Sequence, residues 1–355
     1  MRKWLKRLGY AGITVFLLLW AATTVFGVYF TIRPRVAQFE DPATFEERPV
    51  EAVTIPTEDG INLSAWYIKA DDDRAVILLA GIDGNRTSVQ NRGEFFLDRG
   101  FSVLLPDLRA SGRSEGRAVT IGWQERKDLV AHVKGLGLEI SAISCWGGNV
   151  DLGEEEGWNE NVEWGKRNLE LAADLGCNIW QGHCGIMPED RNDPAWQRFL
   201  DGMGILGEHG EKLGSCLAIE TGPEPPYVLL KLIHEVGFDG IRINWDPANL
   251  ILWPARYAQQ LGEEYNREKW IERYQPNEGA RALAEYIVHT HAKDALVHPD
   301  GKRQEVPLGT GWVDWPRYVG YLREAGFDGY FAIERETGED PVGDIQAAVD
   351  FLRTL

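Results

Sequence analysis

The sequence predicts an α/β fold of the TIM (β/α)8-barrel type, preceded by an N-terminal transmembrane helix. Three observations predict it. From Ala75 onward, eight strand-like apolar runs alternate with helix-like stretches over 281 residues, the signature of a mainly parallel sheet or barrel. That length matches a barrel of about 250 residues with small insertions. Four of the runs end in a residue type that ligates hard metal ions. Before them, Leu8 to Ile32 is a stretch of 25 residues without a charge, long enough as a helix to span a bilayer.

The elements follow in order. Arg2, Lys3, Lys6 and Arg7 precede the uncharged stretch, and Arg33 and Arg35 follow it. The positive-inside rule then places the N-terminus in the cytoplasm and the chain as a single-pass membrane protein. The stretch is too long for a signal-peptide core and no A-x-A pattern follows it. A buried core helix is the alternative, disfavoured because such runs usually stop nearer 10–14 residues. Residues 1–35 form this basic end and helix, and Asp41 to Pro49 reads as a linker. Val50 to Ile68 alternates and turns at Glu58-Asp59-Gly60, a hairpin pattern. The runs Ala75–Gly81, Phe101–Asp107, Leu138–Ser144, Cys177–Gly182, Ser215–Glu220, Gly240–Asp246, Tyr286–His291 and Tyr330–Glu334 predict strands. Helices are expected over Arg86–Arg99, Ile121–Lys134, Asn161–Leu175, Pro194–Leu213, Pro226–Val236, Glu278–Ala284 and Trp315–Ala325.

Composition narrows the function. The chain carries 37 Lys+Arg against 55 Asp+Glu, a net charge of −18. The residues after position 35 carry 31 basic against 55 acidic side chains, net −24. An acidic surface argues against a nucleic-acid partner, which needs a basic face. Four scattered cysteines, with no CxxC, argue against a disulfide framework.

The chemistry concentrates at strand ends. CLAIE ends at Glu220, INWD at Asp246, VHTH at His291 and YFAIE at Glu334. In a barrel the C-terminal ends of the strands converge on one mouth, where catalytic residues sit. Two Glu, one Asp and one His form an oxygen-rich site with one nitrogen donor, suited to Mn²⁺, Mg²⁺, Co²⁺ or Zn²⁺. Strand periodicity places His289, His291 and Lys293 on one face, and Lys293 can stabilise developing negative charge. Asn249 lies three residues after Asp246, and His183 follows the NIWQG strand; both are candidate substrate contacts. Arg335, next to Glu334, is a candidate phosphate or hydroxyl contact, with an ion pair as its alternative. Trp146 and Trp180 read as core packing before sugar stacking.

The segments LEISAIS, LAIETGPE, WDPANL, VHTHAKD, PLGTGWVDWPRYVGYLREAGFDGYFAIERE and DIQAAVDFL resemble the sugar phosphate isomerase/epimerase group with a xylose isomerase-like barrel. The resemblance covers about residues 135–355. It implies Glu220, Asp246, His291 and Glu334 as ligands of one divalent ion, Mn²⁺ as the first choice. It also implies Glu220 and Glu334 as the acid/base pair on opposite faces of the substrate. Some family members carry a substrate-binding His where Asn249 stands, so the departure bears on the substrate rather than the metal. The expected substrate is a small sugar or sugar phosphate. Isomerisation and epimerisation use the same residues, so the sequence does not choose between them.

The first part differs. EAVTIPTEDGINLSAWYIKA, AVILLAGIDGNR and SVLLPDLRASGRSEG resemble the start of a membrane-anchored serine-type α/β-hydrolase over about residues 50–133. That resemblance puts an oxyanion loop at Gly81-Ile82-Asp83-Gly84. The string Gly112-Arg113-Ser114-Glu115-Gly116 fits G-x-S-x-G, but no strand leads directly into it and no helix follows, as a nucleophile elbow requires. Cys145 and Ser144, at the strand where the elbow belongs, are flanked by bulky Ile143 and Trp146. Residues 36–134 thus read as a hydrolase-like fragment without a nucleophile, whose two strand–helix units are expected to complete the barrel. An open six-stranded barrel is the second architecture. A membrane-anchored hydrolase and a non-catalytic fusion are the alternative functions. Oligomeric state is not legible. A cytoplasmic sugar phosphate and a domain outside the membrane are in tension, which leaves the side of the domain open.

Overall fold

A computed structural model of the chain describes residues 2–57, 59–70, 75–81, 84–120, 124–135, 137–144 and 150–355. The chain divides into two compact units, Met1–Leu138 and Glu139–Leu355.

The first unit begins with helix α1 (Arg2–Ile32), which contains the uncharged stretch. Most side chains before Leu19 lie outside the described residues. Among the described residues, no helix is long and apolar enough to cross a membrane, so the expected span gains no support. Strands β1 (Arg48–Pro56) and β2 (Asn62–Ile68) form the predicted antiparallel hairpin; Glu58, in its turn, lies outside the described residues. Strand β4 (Ser102–Pro106) pairs antiparallel with β2 and parallel with β3 (Ala75–Ile77). With the short Thr44–Phe45 strand these make a five-stranded sheet. Helices α2 (Gln90–Leu97) and α3 (Glu125–Gly135) complete the unit.

This arrangement corrects the expectation that the hydrolase-like strands complete the barrel. Both edges of β4 are taken, one by β2 of the hairpin and the other by β3. The sheet closes on its own hairpin because β2 offers seven residues of antiparallel ladder to β1. Among the described residues, none of its strands pairs with the larger sheet of the second unit. The G-x-S-x-G serine is structural. Ser114 Oγ donates to the Asp107 carbonyl at 2.6 Å and accepts the Ser64 amide at 2.8 Å, and the residue is buried. The polar core of the unit is the buried Arg86–Asp107 pair and the Asp128–Arg109–Asp59 chain. Cys145, Trp146 and the Ile82-Asp83 part of the proposed oxyanion loop lie outside the described residues.

The second unit is a TIM-barrel-like α/β fold. Its sheet comprises β5 (Ile143–Ser144), β6 (Ile179–Gly182), β7 (Cys216–Glu220), β8 (Ile241–Trp245), β9 (Ile287–Ala292) and, beyond a small hairpin, β12 (Phe331–Ile333). The order is β12-β9-β8-β7-β6-β5, every neighbour parallel. Helices α4 (Trp158–Leu175), α5 (Pro194–Leu213), α6 (Pro226–Val236), α9 (Glu278–Leu283), α10 (Trp315–Glu324) and α11 (Pro341–Leu352) alternate with these strands. Two more helices, α7 (Asn249–Leu261) and α8 (Arg267–Tyr274), fill a stretch the predicted elements leave blank. Pro254 inside α7 masks that helix from a start-and-stop reading. Hairpin β10 (Asp294–Val297) and β11 (Arg303–Val306) follows β9.

Alternation sorts the strands. Leu217, Ile219, Ile241, Ile243 and Trp245 are fully or almost fully buried and belong to one continuous apolar core with Phe199, Leu206, Leu229 and Tyr318. Trp180 joins that core, as its packing reading expects. Each such aliphatic side chain contributes about 1.5–3 kcal/mol on burial. The alternate positions carry Gln181, Glu220, Asn244, His289 and His291. Helix α5 approaches the sheet closely at Gly207, where a Cβ on Gly240 would lie 2.2 Å from the Gly207 carbonyl. The parallel order sets the ends of β7, β8, β9 and β12 side by side.

Candidate metal centre

Those four ends carry Glu220, Asp246, His291 and Glu334. Each offers one ligand atom, and the four atoms lie within 4.8 Å of one another. The His291 ring nitrogen Nδ1 is 2.7 Å from Glu334 Oε2, 3.4 Å from Glu220 Oε1 and 3.7 Å from Asp246 Oδ2. A register shift between Ile243 and Asn244 places Asn244 directly across from both Glu220 and His289.

The local chain holds each group. Thr221 Oγ1 accepts the Asp246 amide at 2.8 Å and donates to its carbonyl at 3.0 Å, tying the end of β7 to that of β8. Asp246 Oδ1 accepts the amides of Ala248 at 2.8 Å and Asn249 at 3.1 Å, which anchors the start of α7. Its other oxygen, Oδ2, is thereby left facing the cluster. Asn249 Nδ2 donates to Glu220 Oε1 at 3.1 Å and to the Thr221 carbonyl at 3.2 Å. The Asn244 amide lies 3.2 Å from His291 Nε2 and 3.0 Å from His289 Nδ1, and donates to Gln181 Oε1 at 2.9 Å.

The electrostatics couple the carboxylates to His291 and Lys293. Burial opposes a charge on His291, yet the Asp246, Glu220 and Glu334 carboxylates outweigh it and push the imidazole up to about 12. Burial also opposes charge on Glu334, but His291 and Lys293 bring it down to about 2. Glu220 is lowered too, His291 and His183 outweighing its burial. Asp246, fully enclosed, is raised by burial above the ordinary aspartate range. Lys293 stays charged because Asp246 and Glu334 outweigh its burial. His289 is pushed down to about 4, chiefly by burial and then by the neighbouring His291.

Three of the four ligand atoms, Asp246 Oδ2, His291 Nδ1 and Glu334 Oε2, are buried without an aligned hydrogen-bond partner. Three such atoms aimed at one point, in an oxygen-rich set with one imidazole, fit a divalent ion. On the far side of the ring, His291 Nε2 lies 3.2 Å from Asn244 Nδ2, so Asn244 fixes the orientation of the imidazole.

The remaining candidates divide. His183 stands at the open side, Nε2 at 3.7 Å from Glu220 Oε1, with its side chain 45% exposed. Lys293 Nζ is 3.2 Å from Glu334 Oε1 and donates to Glu336 Oε2 at 2.8 Å, so it sits inside the centre rather than at its rim. Asn249 is occupied with Glu220 and acts as its anchor. Arg335 is a correction. Its guanidinium donates to Glu305 at 2.9 Å and Asp344 at 2.7 Å, the ion-pair alternative rather than a free substrate contact. Asn244 and Gln181 were missed. Asn244 lies two residues before Asp246, so period-two alternation alone puts it on the ligand face.

Comparison with known proteins agrees with this geometry. A family model described as xylose isomerase-like TIM barrel matches residues 100–355. It begins 35 residues before the expected boundary at 135 and takes in residues 100–134, which were expected to be hydrolase-like; the hydrolase resemblance gains no support. The chain is 24% identical over 201 residues to L-ribulose-5-phosphate 3-epimerase UlaE of Escherichia coli O157:H7, covering 55% of this chain and 63% of that enzyme's length. The enzyme of the same name from Salmonella paratyphi A is 23% identical over 253 residues, covering 68% and 81%. Among solved structures, a xylose isomerase domain protein from Planctomyces limnophilus superposes with a TM-score of 0.55 at 27% identity, covering 65% of this chain and 82% of that one.

Proposed function

The chain belongs to the xylose isomerase-like TIM barrel family, and on that premise we propose that it is a divalent-metal-dependent isomerase or epimerase of a small sugar or sugar phosphate. The single observation that carries this reading is the convergence of Glu220, Asp246, His291 and Glu334, one ligand atom of each lying within 4.8 Å of the others. The relatives named as L-ribulose-5-phosphate 3-epimerases support a ketose substrate and epimerisation. A divalent ion held by these four residues supplies Lewis acidity, which lowers the cost of ionising the carbon beside a carbonyl.

The chain's own groups supply the rest. Glu334 and Glu220 come from β12 and β7, on opposite sides of β9 and β8 in the sheet. One carboxylate removes the proton next to the carbonyl to give an enediolate. The proton returns to the neighbouring carbon, or the other carboxylate delivers it from the opposite face. Lys293, held charged beside Glu334, stabilises the negative charge that develops on oxygen. His183 offers a hydroxyl contact at the open side. The serine of the hydrolase reading, Ser114, is buried and bonded to backbone.

The test is a panel of ketoses and ketose phosphates incubated in D₂O with added Mn²⁺. We expect deuterium at the carbon beside the carbonyl and formation of the epimer or isomer. Glu334→Gln and Glu220→Gln should each lose at least a hundredfold in rate. Exchange that persists in both variants would contradict the assignment.

We further propose attachment of α1 to a membrane, N-terminus in the cytoplasm. Its described apolar side chains, among them Phe16, Leu19, Trp20, Val25 and Phe26, are all exposed. The full chain should stay with membranes through alkaline carbonate extraction; release into the supernatant would refute attachment.

A further inference from the structure

A cavity of about 320 Å³ lies among the segments after β6 and β7 and helices α7 and α8, and none of the four ligand residues lines it. Its walls include Pro188, Glu224, Tyr257, Trp270, Arg273 and Tyr274. Three polar atoms of these residues are buried without a partner: Glu224 Oε2, Tyr257 Oη and Trp270 Nε1. Glu224 and Trp270 are 2% and 3% exposed. Two other polar side chains of the walls are already used. Tyr274 Oη donates to the Pro223 carbonyl at 3.0 Å, and Arg273 pairs with Glu189.

The volume falls in the range of small-molecule pockets, with mostly apolar and aromatic walls and few polar groups. Burial pushes the Glu224 carboxyl up to about 8, so at neutral pH it is a protonated donor and acceptor. A flat ring with apolar faces and hydroxyl edges satisfies both kinds of wall, as the rings stack and the orphaned atoms bond to hydroxyls. The one cation among the described lining residues, Arg273, is paired with Glu189, which disfavours a phosphate.

The cavity stands close to the centre. Glu224 is four residues from Glu220, at most about 14 Å along an extended chain. Tyr257 is eight residues from Asn249 on α7, about 12 Å along the helix axis.

We propose that this cavity is a second, metal-independent site for an uncharged sugar ring, with Tyr257, Trp270 and Glu224 as its hydrogen-bonding groups. The proposal does not need the reaction assigned above.

The experiment is saturation-transfer NMR and calorimetry on the full chain at pH 7, with methyl pyranosides of gluco, galacto, manno and xylo configuration and with inorganic phosphate. These pyranosides have no free carbonyl and do not report turnover. At least one should bind saturably, unchanged by chelator and by Asp246→Asn. Tyr257→Phe and Trp270→Phe should weaken it about tenfold, with the melting temperature of Tyr257→Phe equal to or above that of the parent. Three results would overturn the proposal: no saturable pyranoside binding, binding abolished by chelator or Asp246→Asn, or binding undiminished in both aromatic variants. Competition by phosphate would also overturn it, because the cavity would then take anions.

Discussion

At the scale of single residues, the strongest forces act where charge is buried. Asn249 spends its amide on Glu220 and Thr221, so Asn249→Ala should leave the fold intact and free a metal ligand. Losses in metal affinity or activity of about 10–100-fold accompany removal of such supports, measurable by titrating metal into stripped protein; unchanged affinity and rate would show that Glu220 needs no anchor. Glu224 gives a prediction with a definite sign. Its folded pKa of about 8 lies above the ordinary glutamate value of 4.5. The stability due to its neutral, buried form is therefore complete below about pH 4.5 and lost as pH rises through about 8. Burial raises Tyr257 to about 12 and Cys184 higher still, so these neighbours stay uncharged across that window. Glu224→Gln, which cannot ionise, should gain melting temperature relative to the parent on going from pH 4.5 to 9, and a flat difference would refute the burial argument. The four ligand residues were legible in the sequence because each closes an apolar run. Arg335 was misplaced because sequence adjacency to Glu334 says nothing of Glu305 and Asp344, which come from distant elements.

At the scale of elements, all eight predicted strands exist, seven of them shorter than the apolar runs that announced them and Ile287–Ala292 shifted by one residue. The run Ala75–Gly81 yields only Ala75–Ile77 as strand, and Leu138–Ser144 only Ile143–Ser144. Apolarity marks burial, while a ladder needs a partner of matching length beside it. Helix α6 falls on its predicted bounds, Pro226 to Val236, because a proline opens it and Gly237 closes it at a φ of +70°. The hairpin β10–β11 was not read, since its organising residue acts over long range. Asp294 accepts the amides of Ala295, Gly309, Gly311 and Val313 and the indole of Trp315. It gathers the whole PLGTGWVDW loop, and a Cβ on Gly311 would strike its carboxylate at 2.1 Å. Asp294→Ala leaves those buried donors unpaired and should cost about 3 kcal/mol or more in urea denaturation, with Asp294→Asn recovering part. A loss below about 1 kcal/mol would show that the loop holds itself.

At the scale of the whole molecule, strand–helix alternation was legible but the grouping of strands was not. Ala75–Ile77 and Ser102–Pro106 satisfy the same local pattern as the barrel strands, yet they pair with the hairpin of the first unit. Nothing in a period of two distinguishes a strand's partners, so the number of strands predicted a closed barrel where the second unit has six strands in one parallel sheet. The candidate centre survives that difference because its four residues come from β7, β8, β9 and β12, which are consecutive neighbours. The central claim is therefore that these four strand ends form one divalent-metal site without the two missing units. The most direct test is the divalent metal content per chain, by mass spectrometry, of protein purified without chelator and of the Glu334→Gln variant. The account predicts about one Mn, Co, Zn or Mg per chain in the parent and a large loss in the variant. No metal in either protein, even after reloading, would contradict it.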